Sequence, residues 1–334
     1  MTSGFASIAV IGAGAWGTAL ANLAASTGVR TTLVARTSDA AAALLRDREN
    51  KQRLPGASLH EGVRPVGPDD DISNVDAILF VAPTQTARAH FERFAAEMRP
   101  VPVAIASKGV ELSSGMFLPE VLAEVWPGAA PAIVSGPTFA SEVAGGLPAA
   151  ATLAASSAAL RDAWRASLAS PRFRLYPTED VLGAALGGAM KNVLAIAAGA
   201  VTGAGLGESA RAATIARGFA EARRLASAIG VEAETLGGLS GLGDLILTAT
   251  SMESRNMSLG YEIGRGASAK DVLAKRSTVS EGALTAAALL KRADHCGVDL
   301  PICRAVDDLI EGVRALEDII SELLTRPPPA AEAI

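Results

Sequence analysis

The chain has 334 residues, enough for about two domains at the usual ~100–200 residues each, and 49% hydrophobic against 19% charged residues excludes a disordered chain. Thirty Lys and Arg against 35 Asp and Glu leave a net charge of −5, which argues against a protein that lives on nucleic-acid backbones. Two cysteines, Cys296 and Cys303, have no spaced partners, so neither a disulfide framework nor a metal site is expected, and the chain reads as cytoplasmic.

Residues 2–29 carry no charge, but no basic residue precedes them and glycines and polar residues interrupt them, so they do not read as a signal peptide. Within them, residues 7–11 form a short apolar run. Four more follow at 31–35, 77–82, 103–106 and 132–134, separated by Ala-rich stretches of helical length. Continuously apolar strands alternating with helices predict a Rossmann-type parallel sheet covered on both faces, an α/β domain over 1–180. Segments 149–154 and 172–176 could extend the sheet.

Gly12-Ala13-Gly14-Ala15-Trp16-Gly17 follows the first strand directly and opens a helix. Here the first glycine permits the tight turn, the second lets backbone approach a pyrophosphate, and the third lets helix pack on strand. The helix N-terminus faces the negative charge. About 20 residues on, where an NAD site presents an acidic residue to the ribose, the chain has Ala35 and Arg36. Arginine can pair with a 2′-phosphate, which predicts NADPH with NADH as the alternative. An exposed arginine at a strand end is the plain competing reading.

Beyond Pro177 the helical period takes over, predicting an all-α domain over 181–326 and a disordered tail at 327–334. Ala212, Ile215, Ala216, Phe219, Ala226 and Ile229 would form one apolar stripe on a helix from Glu208 to just before Gly230. Residues 181–207 carry one charge, Lys191. That run is long enough to cross a bilayer, but a mid-span lysine and a Gly/Ala composition argue against it, so no integral membrane segment is expected. A lysine among Leu186, Ala189, Val193, Leu194 and Ile196 either snorkels to the surface or serves as a general acid/base, stabilising and protonating the oxygen of a ketone being reduced. Gly187 and Gly188, one turn earlier, are read as leaving room for a substrate or cofactor ring. Asp244, after Gly241 and Gly243, can orient a neighbouring amine, bind a substrate hydroxyl or cap the next helix. Ser254-Arg255-Asn256 offers a hydroxyl, a planar fork and an amide, a candidate phosphate clamp.

Six segments in order carry a resemblance that spans the chain: residues 12–20, Ser107-Lys108-Gly109-Val110-Glu111, residues 135–143, residues 187–193 with Lys191-Asn192, residues 241–245, and Ser254-Arg255-Asn256. They resemble bacterial NAD(P)-dependent sn-glycerol-3-phosphate dehydrogenases. The resemblance implies a Rossmann domain followed by an all-α domain of the 6-phosphogluconate dehydrogenase type. It implies reversible conversion of dihydroxyacetone phosphate to sn-glycerol 3-phosphate, supply of phospholipid precursor, and a homodimer built on the helical domain. By the same resemblance Lys191 transfers the proton, Asp244 is a catalytic residue acting towards the substrate, and Lys108, Gly136, Thr138, Ser254, Arg255 and Asn256 hold substrate. Cofactor contacts carried over are Gly12, Gly14, Trp16, Gly17, Arg36, Lys108, Ala140, Arg255, Val279 and Glu281; no metal is implied. Three positions depart from the family pattern: Ala185 where Glu is common, Glu208 where Asp is usual, and Arg53 where an aromatic residue often stands near the adenine. The rivals are a ketopantoate or 3-hydroxyacid reductase, which would not need the Arg255-Asn256 clamp, and a non-catalytic NADP sensor, which would not need Lys191, Asp244 and Lys108 together.

Overall fold

The computed structural model describes residues 4–276 and 280–325. The expected tail at 327–334 and the candidate Val279 lie outside the described residues.

The chain divides into two compact units. The first runs to Ser107 and resumes over Leu118–Ala185; the second takes Lys108–Phe117 and the chain from Leu186 on. The expectation of one boundary near residue 180 therefore differs in two ways. The divide falls five residues later, inside a helix, and a ten-residue excursion from the first half joins the helical unit. Contacts far apart in sequence bring it there: Asn192 donates to the Lys108 carbonyl at 3.0 Å, and the Arg292 guanidinium lies over the Phe117 ring at 5.8 Å.

The first unit runs β1 (Ser7–Ile11), α1 (Ala15–Ser26), β2 (Arg30–Val34), α2 (Ser38–Asp47), β3 (Val63–Val66), β4 (Ala77–Phe80) and α3 (Ala87–Glu97). It continues β5 (Val103–Ile105), α4 (Leu118–Val125), β6 (Pro131–Ser135), α5 (Ala140–Ala144), β7 (Ala149–Ala155), α6 (Ala158–Leu168) and β8 (Phe173–Thr178). The strands form one sheet in the order β3-β2-β1-β4-β5-β6-β7-β8. Every residue of β1, β4 and β5 is buried, as continuous apolar runs in the middle of a two-sided sheet require. The order reverses between β1 and β4, and such a switch point opens a crevice at the strands' C-terminal ends.

Two features depart from the sequence reading. β3 was not anticipated, because Arg64 and Pro65 break its apolar character; it is an edge strand, where a missing ladder donor is tolerated. β8, at the other edge, likewise carries Arg174 and Pro177, which blunt an edge against pairing with foreign strands. The sheet is also not wholly parallel: β6 pairs antiparallel with β7, Ser135 opposite Thr152. Only thirteen residues with the five-residue α5 connect them, and the chain turns back rather than crossing over. Gly136 permits the reversal, since a Cβ there would lie 2.7 Å from the Ala151 Cα.

The second unit contains α7 (Val181–Gly203, which begins in the first unit), α8 (Glu208–Ala228), α9 (Ala233–Gly237), α10 (Asp244–Thr250) and α11 (Arg255–Gly264). α12 (Ala269–Lys275), α13 (Glu281–His295), α14 (Pro301–Glu311) and α15 (Leu316–Thr325) complete it. α7 is long and apolar enough to span a membrane by composition, yet 83% of its apolar window is buried within the fold, as in a core helix. α8 has the expected limits, and Ala226 of the expected stripe is buried, but the rest of the buried face differs. Gly218, Glu221, Ala222 and Leu225 turn inward, while Ala212 and Ala216 are exposed and Ile215 and Phe219 half-buried. Gly218 sets this rotation by seating against Leu194, where a Cβ would fall 2.3 Å from a Leu194 methyl.

Candidate functional site: a carboxylate between two lysines and a glycine turn

α7 carries Lys191 midway along a run in which Leu186, Ala189, Met190, Val193 and Leu194 are essentially buried. Its stem lies in a narrow apolar crevice with Gly187, Met190, Leu236 and Leu245, and its side chain is only 12% exposed. The ammonium is held at 3.2 Å from Asp244 Oδ1 and donates to Thr248 Oγ1 at 2.9 Å. The other oxygen, Asp244 Oδ2, accepts from Lys108 Nζ at 2.5 Å. One carboxylate, 2% exposed, thus sits between two ammoniums, and Thr248, one turn along α10, also donates to it at 3.2 Å. Of the sequence readings of Asp244, this geometry uses the carboxylate to orient the lysines, and α10 has no side-chain cap.

Burial pushes the Lys191 ammonium down from 10.5 to about 8. Asp244 pulls it upward, while Lys108 and Arg255 add to the fall. The cluster carries more positive than negative charge, which suits an anionic ligand.

The sequence leading into Asp244 explains its placement. Residues Leu239–Gly243 form one π-helical turn, rich in glycine, that runs straight into α10. Gly187 lies against this turn, where a Cβ would approach the Ser240 carbonyl oxygen to 2.7 Å and the Gly241 Cα to 2.9 Å. The space attributed to a ligand ring at Gly187 is therefore filled by backbone: the glycine brings the turn, and with it Asp244, up to α7.

A second chain of contacts runs beside the first. Gly282 N–H donates to Asn256 Oδ1 at 3.3 Å, Asn256 Nδ2 to Asn192 Oδ1 at 2.8 Å, and Asn192 Nδ2 to the Lys108 carbonyl. Asn256 is thereby buried in a structural relay. Ser254 is the N-cap of α11, accepting from Met257 N–H at 3.2 Å, and Arg255, the first residue of that helix, is exposed. Glu281, half-buried, starts α13. The sequence assigns no role to Thr248 or to Asn192, although Asn192 lies in one of the resembling segments. The signals were present, since Thr248 stands four residues after Asp244, one helical turn, and Asn192 adjoins Lys191.

In the first unit, the glycine turn joins β1 to α1. Gly12 has φ +111° and a Cβ there would meet the Ala82 backbone at 2.9 Å. A Cβ at Gly17 would fall on the Gly12 carbonyl oxygen, whereas one at Gly14 would meet nothing within 4 Å. Two glycines thus serve the fold and the exposed Gly14 leaves an open approach. α1 has no side-chain cap and no acidic residue in its first turn, so its N-terminal N–H groups remain available to an anion. These features fit a dinucleotide pyrophosphate.

Arg36 follows β2 and is exposed. Trp16 turns toward the core, edge-on to Phe173 at 6.3 Å between ring centroids, with its indole N–H buried and without a hydrogen-bond partner among the described residues. This is the packing expected of an aromatic cover for the helix start. Gly136, Thr138 and Ala140 follow β6 in succession, with the Thr138 hydroxyl donating to the Gly136 carbonyl at 3.2 Å and Ala140 opening α5.

Comparison with known proteins agrees with both halves of this description. Residues 7–161 match the model of the NAD-dependent glycerol-3-phosphate dehydrogenase N-terminus and residues 180–321 that of its C-terminus. The chain is 47% identical over 331 residues to glycerol-3-phosphate dehydrogenase [NAD(P)+] of Hyphomonas neptunium, covering 99% of this chain and 98% of that one. It is 49% identical to the enzyme of the same name from Methylobacterium radiotolerans, with 96% of each covered. The crystal structure of glycerol-3-phosphate dehydrogenase from Coxiella burnetii superposes with a TM-score of 0.91 at 33% identity, covering 96% of this chain and 99% of that chain. With two family models spanning most of its length and relatives near half identity end to end, the chain belongs to the NAD-dependent glycerol-3-phosphate dehydrogenase family.

Proposed function

We infer that the protein is an oxidoreductase that reduces dihydroxyacetone phosphate to sn-glycerol 3-phosphate with NAD(P)H. The observation that carries the chemistry is the buried Asp244 carboxylate between Lys108 and Lys191, with Lys191 at about 8. A dinucleotide held at the glycine turn supplies the hydride when bound. As the ketone carbon accepts it, negative charge grows on the oxygen, and Lys191 Nζ stabilises that charge and gives it a proton. In the reverse direction the neutral amine takes the hydroxyl proton, and a pKa near the working pH makes both states accessible. Asp244 and Thr248 hold the ammonium in one orientation.

Lys108 and Arg255 supply the positive charge for the substrate phosphate, Arg255 from the start of α11, with Ser254 and Asn256 fixing that helix end. Gly136 and Thr138 are proposed as further substrate contacts. Gly12, Gly14 and Gly17 shape the dinucleotide turn, and Ala140, Glu281, Trp16 and Val279 are proposed to complete the cofactor site. Arg36, exposed at the end of β2, favours NADPH by pairing with its 2′-phosphate while leaving NADH usable. The exposed or half-buried Ala212, Ile215, Ala216 and Phe219 on α8, with Leu206 43% exposed nearby in sequence, support a homodimer through the helical unit. We place the enzyme in the cytoplasm, supplying the glycerol backbone of phospholipids.

The test is a grid of two cofactors against dihydroxyacetone phosphate and a carboxylate ketoacid such as ketopantoate, followed by loss of absorbance at 340 nm. Turnover of the phosphorylated ketone with NADPH is expected. Turnover of the ketoacid alone would assign the chain to a carboxylate-reducing relative instead.

A further inference from the structure

The segment 48–60, between α2 and β3, has no regular element, yet it is closely tied. Arg48 takes a left-handed conformation, φ 50°, and its guanidinium donates to the His60 and Val63 carbonyls at 2.6 and 3.0 Å. The Asn22 carboxamide of α1 donates to the Ser58 carbonyl and accepts from His60 N–H, both at 2.9 Å. Gly56 N–H donates to Glu49 Oε1, and the Asn50 carbonyl accepts from Arg53 and Leu54. The loop is thus closed on itself and fastened to α1.

That framework delivers one buried amide to the glycine turn. Asn50, 7% exposed, donates through Nδ2 to the Ala13 carbonyl at 3.0 Å and to Thr18 Oγ1 at 2.8 Å. The Thr18 hydroxyl donates in turn to the Gly14 carbonyl at 2.9 Å, which also accepts from Thr18 N–H. The Ala13 and Gly14 carbonyls are therefore engaged from the protein side. This matters where an anion is to bind, because an unengaged carbonyl dipole at the head of α1 would oppose the helix N-terminal field that attracts it.

We propose that Asn50 is a positioning residue of the dinucleotide site, acting through the carbonyls of Ala13 and Gly14 to keep the N–H groups of the turn turned toward the pyrophosphate. The proposal rests on the reading of the turn as a dinucleotide site. Asn50 touches neither the reacting atoms nor, in this role, the cofactor. Its effect is on how well the dinucleotide is held.

Asn50→Asp gives a discriminating test, since it preserves shape while exchanging two donated hydrogens for a charge. Binding is followed by the fluorescence of NADPH and of NADH, without substrate, and kinetics by 340 nm turnover of dihydroxyacetone phosphate. At pH 8 the variant should bind both dinucleotides about 10- to 100-fold more weakly, the range for losing a buried donor and adding a like charge beside phosphates. KM for the cofactor should rise in parallel, while kcat at saturating cofactor and KM for the ketone stay within about twofold. Lowering the pH toward 5 protonates the introduced carboxyl and restores an O–H donor, so the ratio of variant to wild-type affinity for NADH should recover. A purely structural role would instead move kcat and the ketone KM together with the cofactor affinity.

Dinucleotide affinity equal to wild type, or a pH-independent ratio, would overturn the proposal. So would equal losses in cofactor binding, kcat and ketone KM. Should Asn50→Asp not fold, Asn50→Ala bears the same split between cofactor and ketone KM, and an unsplit loss there rejects the proposal too. Wild-type protein that binds neither dinucleotide would instead refute the reading of the turn itself.

Discussion

Asp244→Asn keeps the size of a side chain that is 2% exposed and removes the charge that two ammoniums share. In the wild type, Lys191 at about 8 is roughly nine-tenths protonated at pH 7. The variant keeps the burial that lowers Lys191 and the repulsion from Lys108 and Arg255, but loses the attraction that opposes them. A hydrogen bond to a charged group is worth ~1.5–3 kcal/mol, and ~1.4 kcal/mol is a tenfold change in proton affinity, so the loss corresponds to about 10- to 100-fold. Roughly half to nine-tenths of the variant is then unprotonated at pH 7 and has no proton for the ketone oxygen. The alkaline limb of kcat for reduction, near pH 8 in the wild type, should move to lower pH. At pH 7.5 the protonated fraction, and with it the rate, should fall by about 3- to 25-fold, with partial recovery on acidification. Steady-state assays at 340 nm from about pH 5.5 to 9.5, with saturating cofactor and ketone, would show it. If kcat drops by the same factor at every pH and the limb stays in place, Asp244 does not act by holding the Lys191 proton, and the reasoning fails.

Gly14→Ala should melt within a few degrees of wild type, because its Cβ would meet nothing within 4 Å, yet bind NADPH much more weakly; Gly17→Ala should lose stability outright, since its Cβ lands on the Gly12 carbonyl oxygen. Thermal melts with NADPH fluorescence separate the two, and a Gly14→Ala protein with normal binding would contradict the proposed approach. Arg36→Ala should raise KM for NADPH by about 10- to 100-fold, the range for a charge-assisted hydrogen bond, with KM for NADH nearly unchanged; equal changes for both cofactors would remove the 2′-phosphate from the argument. Glu221, 2% exposed, accepts from Ile302 and Cys303 N–H at the start of α14, and burial raises it from 4.5 to about 7. A carboxyl with a raised folded-state pKa contributes stability that is complete below 4.5 and lost as pH rises through 7, here roughly 3 kcal/mol. Urea midpoints for Glu221→Gln should show this decline flattened relative to wild type, and an unchanged slope would exclude Glu221 as its source.

The sequence showed its hydrophobic periods clearly and its long-range contacts poorly. Strands buried on both faces, such as β1 and β4, announce themselves as unbroken apolar runs, whereas β3 carries Arg64 and Pro65 because an edge permits them. The inward face of α8 was misread for a related reason. Its buried positions include Gly218 and Glu221, neither of which looks like core, and Glu221 is inside because α14 brings it two N–H donors. Lys191 was conspicuous as a charge alone in an apolar stretch. Its partner Thr248 was visible only by its spacing from Asp244, and the attachment of Lys108–Phe117 to the helical unit depends on contacts with residues such as Asn192, 84 positions away. No local pattern encodes a contact of that separation.

The glycines of α7 show why this helix can carry the site. Five of its 23 residues are glycine, a composition that weakens an isolated helix by up to ~1 kcal/mol each. Three of them are used as points of backbone contact. Gly187 admits the π-helical turn that leads into Asp244. Gly199 and Gly203 admit α11, where their Cβ positions would fall 2.2 Å from the Met257 and Tyr261 carbonyl oxygens. The contact is reciprocal: Cβ atoms at Gly260 and Gly264 of α11 would lie 2.0 and 2.2 Å from the Ile196 and Ala200 carbonyl oxygens of α7. Glycines spaced by four on both helices thus lock them backbone to backbone, closer than any side chain allows. With that spacing fixed, Asn256 near the start of α11 reaches Asn192, and with Gly187 fixed, Asp244 reaches Lys191. An ammonium buried in an apolar helix needs its counter-charge within a few tenths of an ångström of the right place. Main-chain packing at glycine provides a rigid means of holding it there.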